Sequence, residues 1–384
     1  MIGYYVHHQG SGHVRRAAAV ARHMQHDVVG LGSGPRPDEW AGAWVALPRD
    51  DDPPVTDPDA AGVTAGGVLH WVPRHHPGLR ARSRVIADWI EEERPALVVV
   101  DVSVEVSLLV RLCGVPVVGG AMPGERTDRP HRLAYDLAEA LLAPWPEGAH
   151  PDNGWPQAWT DKTWHVGGIS ALDLGSADDP GGMPSRTDGG SVEGVAGAVG
   201  GTTDAGQVAD VRDVLVLWGT GGDDPDQGRY AEAQRATPGW RWTFRGGRLP
   251  AAEDLAAELR AADVVVVHAG QGSVADVALL RRPAVVLAQP RPHAEQEATV
   301  RAIARMGIAA TGVGWPVAPE WPGLLEQALA IGGAGWERWG GDGAVAAAAH
   351  LDELADRFAT EVTPVPQGTT RTAEAPRGTT EEPA

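Results

Sequence analysis

The stretch Ala262-Asp263-Val264-Val265-Val266-Val267-His268-Ala269-Gly270-Gln271-Gly272-Ser273 constrains the fold more than any other part of the chain. An unbroken run of β-branched residues fits a strand buried on both faces, as in a parallel sheet covered by helices. The glycines after it predict a tight turn into a helix, whose first N–H groups have no partner of their own and point at whatever sits above the strand end. With about half a positive charge from the helix dipole, such a helix start favours a phosphate. Asp276 follows three residues into this helix, where it could accept hydrogen bonds from ribose hydroxyls. A second buried run, Ala284-Val285-Val286-Leu287, leads into Pro290-Arg291-Pro292-His293-Ala294-Glu295-Gln296. Glu295 and Gln296 there suit either the hydroxyls of a sugar or an ordinary solvated first turn.

At 384 residues the chain exceeds the roughly 250–300 beyond which one core usually stops growing, so two domains are expected. The first half alternates apolar runs with helical spacing, predicting strands near 2–7, 27–31, 43–47, 68–72, 97–101 and 115–119. Helices are expected over Val14 to Met24, Leu79 to Ile90 and Val104 to Leu112. A second α/β unit starts at Val214-Leu215-Val216-Leu217-Trp218, with strands near 240–244, 263–267, 284–287 and 308–311. Helices near 252–261, 273–281, 294–306, 320–331 and 343–357 separate or follow these strands. From Leu174 to Asp210 large apolar residues almost vanish, so burial there cannot offset the entropy of ordering. The expected organisation is an α/β protein of two Rossmann-like parallel-sheet domains facing a cleft. They span 1–168 and 212–358, with a linker and Gly-rich insertion at 169–211 and a disordered tail at 359–384.

Gly10-Ser11-Gly12-His13 follows the first strand and opens a helix, so glycine backbone and helix start face one ligand space. Arg15 stands where a dinucleotide fingerprint needs its third glycine, and Lys162-Thr163 follows Asp161 and not the glycine of a phosphate-binding Walker loop. His13 falls at the carboxyl edge of a parallel sheet, where open α/β folds place ligands. Asp101 ends the strand at 97–101. If that strand lies next to the first, Asp101 can orient the His13 imidazole as a general base. Asp101 equally suits a cap on the helix that follows.

A formal charge of −19 argues against nucleic acid as a partner, because such binding draws on Lys and Arg to release counterions. The single cysteine, Cys113, has no partner for a disulfide and reads as a buried core thiol. The first eight residues lack a basic, apolar leader, and no run reaches the ~20 apolar residues of a membrane span, which makes the cytoplasm the expected location. His7, His8 and His13 carry no carboxylate or cysteine at ligand spacing, so no metal is expected on them. Asp50-Asp51-Asp52 reads as a solvated loop. Arg74, Arg80, Arg82 and Arg84 read as a solvated helix face, with peripheral contact to a membrane surface left open.

Together, the Gly10-Ser11-Gly12-His13 loop and the segment from His268-Ala269-Gly270-Gln271-Gly272-Ser273 through Glu295-Gln296 resemble the signature of GT-B glycosyltransferases. The likeness is to glycosyltransferase family 28, which includes the N-acetylglucosaminyltransferase of peptidoglycan synthesis, and to the nucleotide-dependent plant glucosyltransferases. It implies an acceptor-side first domain and a donor-binding second domain. On that resemblance His268, Gly270, Gly272 and Ser273 would meet the diphosphate, Asp276 the ribose, and Glu295 and Gln296 the donor sugar. Gly12 joins this donor set. The loop Gly219-Thr220-Gly221-Gly222 would be a further diphosphate-facing element. His13 would be the base and Asp101 its support. Family members usually carry Glu where Asp276 stands, and only part of the wider group carries the aspartate. The implied activity is inverting, metal-independent transfer of a hexosyl group from a nucleoside diphosphate sugar, taken as UDP-linked, without a separate cofactor. The acceptor, small-molecule or lipid-linked, stays open. So do a nucleotide-sugar hydrolase or epimerase and a catalytically silent binding protein on the same scaffold.

Overall fold

The structure, a computed structural model, describes residues 1–8, 11–172, 211–219, 225–247 and 249–359. Gly10, Thr220, Gly221 and Gly222, the stretch 173–210 and the tail 360–384 lie outside the described residues.

The first half of the chain runs β1 (Ile2–Val6), α1 (Ser11–Ala21), β2 (Val28–Gly32), β3 (Ala43–Ala46), α2 (Pro58–Ala61) and α3 (Pro77–Glu93). It continues β4 (Leu97–Val100), α4 (Val104–Leu112), β5 (Val117–Gly120), α5 (Arg129–Leu137), β6 (Ala140–Ala143), α6 (Gln157–Thr160) and β7 (Thr163–His165). The second half begins β8 (Arg212–Leu217), α7 (Gln227–Ala236), β9 (Trp240–Arg245), α8 (Leu255–Ala261), β10 (Val264–His268) and α9 (Gln271–Leu279). It ends β11 (Ala284–Ala288), α10 (Glu295–Met306), β12 (Ala310–Val313), α11 (Trp321–Ile331) and α12 (Gly343–Ala359).

Two parallel sheets result, in the orders β3-β2-β1-β4-β5-β6-β7 and β12-β11-β10-β8-β9. The valine run of β10 shows why the second sheet is central to its domain. Val265 and Val267 enter one apolar cluster, and Val264 and Val266 enter another on the opposite face. A strand buried on both sides has no polar alternation to show.

Residues 68–72 are not a strand. Val68 and Leu69 donate to the Thr64 carbonyl, and the N–H groups of His70 and Trp71 donate to Glu105 Oε1 at 2.7 and 3.0 Å. Local carbonyls and one carboxylate thus take the donors that a neighbouring strand would have used. The strand ending at Val100 therefore becomes the fourth of its sheet and lies beside β1, with Tyr5 opposite Val100. The loop after β4 and the start of α1 meet above that pair.

The last helix leaves the second domain. Ala344, Ala347, Ala348 and Leu351 of α12 pack with Ala17 to Val20 of α1, and Asp352 accepts from the backbone N–H of Gln25 and His26 at 2.8 and 3.1 Å. Cys113 closes α4 at the surface and is exposed, contrary to the buried thiol its apolar neighbours suggested, because the helix ends there and the chain turns at Gly114. No helix among the described residues is long and apolar enough to cross a membrane.

Candidate functional site

His13 sits in the first turn of α1, and Asp101 directly follows β4. The Asp101 N–H donates to the Tyr5 carbonyl at 3.2 Å, which extends the ladder by one residue and fixes the carboxylate over β1. Asp101 Oδ2 pairs with His13 Nδ1, and Oδ1 accepts from Arg16, one turn farther along α1. Asp101 does not cap the next helix. Ser103 does, its hydroxyl accepting from Val106 N–H at 3.2 Å. Burial alone would raise the Asp101 carboxyl, yet Arg16 and then His13 outweigh it and hold the group below the usual carboxylate range. With Nδ1 turned to the carboxylate, the other ring nitrogen of His13 is the one left for the cleft.

Arg16 was not singled out by sequence reasoning, although it lies on the helical face of His13. It also donates to Gln271 Oε1, at the start of α9, and so links the two domains at the point where their motifs meet. No side chain caps α9, whose N-cap is Gly270. Behind this helix start lies His268, tightly boxed. A Cβ on Gly219 would come within 2.5 Å of its Nε2, and one on Gly270 within 2.4 Å of its Cε1. Gly270 N–H donates to His268 Nδ1 at 3.0 Å, so the ring acts as an acceptor. Burial and then Arg291 push its pKa from 6.5 down to about 4. Gly272 is different: a Cβ there meets nothing within 4 Å. Gly12 is likewise open, and Ser273 lies in the first turn of α9.

The other residues expected to face the donor divide. Glu295 lines the cleft and accepts from Arg126 at 3.2 Å. Gln296 is buried, its Oε1 accepting from Gln289 N–H at 2.9 Å, so its amide is engaged within the protein. Asp276 lies beneath the linker, where Ser170 Oγ donates to it at 2.5 Å. Burial raises its pKa, partly opposed by that bond.

Between the domains is a cleft of about 600 Å³. His13, Asp101, Trp71 and Tyr135 line it from the first domain, His293 and Glu295 from the second. Of two groups expected to be solvated, Asp50 and Asp51 line the cleft and Arg82 is drawn inside the protein. Arg82 is buried, pairing with Asp50 at 2.9 Å and donating to Tyr5 Oη and Pro48 O, both at 3.2 Å. Asp50 and Asp51 in turn lie 3.8 and 3.4 Å from His8, while Arg49 donates to Asp51. The Arg82–Asp50 pair and the His8 contacts join positions far apart in sequence, and no local periodicity announces them. His7 is packed behind His13, and burial with the neighbouring His13 and His8 pushes its pKa down to about 4.

Two parallel-sheet α/β domains whose strand ends and helix starts face one cleft define the GT-B class of fold. Solved structures of that class superpose along almost the whole chain. The glycotransferase of kitacinnamycin is 16% identical with a TM-score of 0.60, covering 92% of this chain and 98% of that one. The glycosyltransferase SnogD from Streptomyces nogalater is 16% identical with a TM-score of 0.57, over 92% and 99%. MurG of Acinetobacter baumannii is 15% identical with a TM-score of 0.56, over 93% and 99%. At this identity the likeness is one of fold. No protein-family profile matches the chain, and no curated protein matches it by sequence.

Proposed function

We propose that this protein is a glycosyltransferase that moves a hexosyl group from a nucleoside diphosphate sugar, UDP-linked, to a hydroxyl of a small-molecule acceptor held in the cleft. The observation that carries this reading is the His13–Asp101 pair, joined through Arg16 and Gln271 to the uncapped start of α9. A proton acceptor and an anion-attracting helix start thus share one cleft.

In the proposed reaction the acceptor hydroxyl gives its proton to His13 while its oxygen bonds to the anomeric carbon. The bond from that carbon to the diphosphate oxygen breaks, and its electron pair leaves with the diphosphate. Attack opposite the departing group inverts the carbon. Asp101 orients the imidazole, and the N–H groups at Gly272 and Ser273, with the α9 dipole, take up the charge that grows on the diphosphate. This role needs no metal at the phosphates. Asp276 with Ser170 would meet the ribose and Glu295 the donor sugar. His268 and Gln296, both engaged inside the protein, shape the pocket from behind. A cleft of about 600 Å³ with Trp71 and Tyr135 on its wall suits a drug-sized acceptor.

Release of free nucleoside diphosphate from a panel of donors, with and without candidate acceptors, tests the reading. Acceptor-dependent release supports transfer, release of free sugar without acceptor makes the protein a hydrolase, and no release from any donor refutes the enzyme.

A further inference from the structure

His70, Asp128, His131 and His293 converge from three separate segments of the chain, and one donor atom of each lies within 4.8 Å of every other. His70 belongs to the turn held by Glu105, Asp128 caps α5, His131 lies in its first turn, and His293 precedes α10 in the second domain. We propose that these four side chains form a binding site for a divalent transition ion of the zinc type, which bridges the two domains at the cleft.

Three imidazoles and one carboxylate are a donor set that zinc takes in tetrahedral geometry. At the usual metal–nitrogen distance, tetrahedral donors stand about 3.4 Å apart, so these four would draw together around an ion. Part of the arrangement is already fixed. Asp128 Oδ1 pairs with His131 Nδ1 and Oδ2 faces His70 Nε2 at 3.6 Å, so the carboxylate already sits between two of the rings. His293 is held by backbone: Glu125 N–H donates to its carbonyl at 2.8 Å across the domain boundary, and its φ of 62° lies in the left-handed region. That conformation is uncommon for residues other than Gly, and His, Asn and Asp are the ones that adopt it most readily. The nearest competing cation is Arg126, 3.3 Å from His131 Nε2, and its charge is met by Glu295 at 3.2 Å. The other histidine–carboxylate group, His8 with Asp50 and Asp51, lacks this freedom, because Arg82 and Arg49 already pair with its two carboxylates. Bound between His293 and the three ligands of the first domain, an ion would hold the cleft closed.

The site stands independently of sugar transfer, so its test reads metal and not turnover. Full-length protein, stripped with a chelator and dialysed, is titrated calorimetrically with Zn²⁺ and separately with Mg²⁺. Co²⁺ titration reports tetrahedral ligation through its visible absorption. The expected result is one equivalent of Zn²⁺, no saturable Mg²⁺ binding, a tetrahedral Co²⁺ spectrum and a rise in Tm with Zn²⁺. His70→Gln and His293→Asn should each weaken Zn²⁺ binding at least tenfold, the latter keeping a residue that tolerates the left-handed backbone. Absence of saturable Zn²⁺ binding in the unaltered protein, or Zn²⁺ affinity undiminished in both variants, overturns the site.

Discussion

Arg16 and Asp101 form an ion pair almost out of water: the carboxylate side chain is 2% exposed and the guanidinium 11%. Breaking a buried pair by removing one partner leaves a charge unmatched, which typically costs 3–5 kcal/mol. Arg16→Met leaves Asp101 with His13 as a remaining partner, so a loss of about 3 kcal/mol is expected in urea unfolding at pH 7. The pH response follows from the depressed Asp101 pKa. Its contribution is fully present above the unfolded carboxylate range, about pH 4, and is lost as pH falls through the lower folded value. In Arg16→Met the folded value rises and the contribution shrinks. Unchanged stability and an unchanged acid midpoint would remove Arg16 from the account.

His268, His131 and His150 are each pushed by burial from 6.5 to about 4. A folded pKa below the unfolded one means that stability is complete above about pH 6.5 and is lost as pH falls towards 4. For His268, the most enclosed, the contribution is of the order of 3 kcal/mol. Denaturation followed from pH 7.5 to 4 should show a steep loss across that window. His268→Asn keeps an acceptor for Gly270 N–H but cannot titrate, so its slope should be shallower; an identical slope would contradict a neutral His268.

Gly219 and Gly272, both proposed to face the donor, should part company. Gly219→Ala drives a Cβ into the His268 ring, and overpacking of this kind typically costs 1–3 kcal/mol. Gly272→Val has open space around it and should leave Tm within a few degrees of the original, while UDP affinity falls at least tenfold because the side chain occupies the approach to the α9 amides. Calorimetry with UDP beside thermal unfolding separates the two effects. Equal UDP affinity in Gly272→Val would place the diphosphate elsewhere.

What could be read in the sequence was whatever burial writes locally. The valines of β10 and β4 announce strands buried on both faces, and the glycines after β1 and β10 announce turns into helices. That is enough to bring His13, Asp101 and the α9 start to the same sheet edges. What could not be read depends on partners far along the chain. Val68 to Val72 has a strand's composition, yet Glu105 supplies the bonds that end it. Arg82 has the spacing of a surface arginine, but Asp50 and Tyr5 draw it inside. Arg16 gains its role only because β4 lies beside β1, and the His70, Asp128, His131 and His293 group exists only once the second domain meets the first. Cys113 misled for the opposite reason: its neighbours are apolar, but the helix stops at the surface.

The central claim is that His13 takes the acceptor proton while the second domain holds the donor. An interaction made only in the transition state lowers turnover without weakening the ground-state complex. Donor turnover by His13→Ala, with UDP affinity measured on the same preparation, is therefore the most direct test. Turnover should fall by about 10²–10⁴-fold, the usual contribution of a general base, with UDP affinity close to that of the unaltered protein. Full transfer activity in His13→Ala would contradict the account.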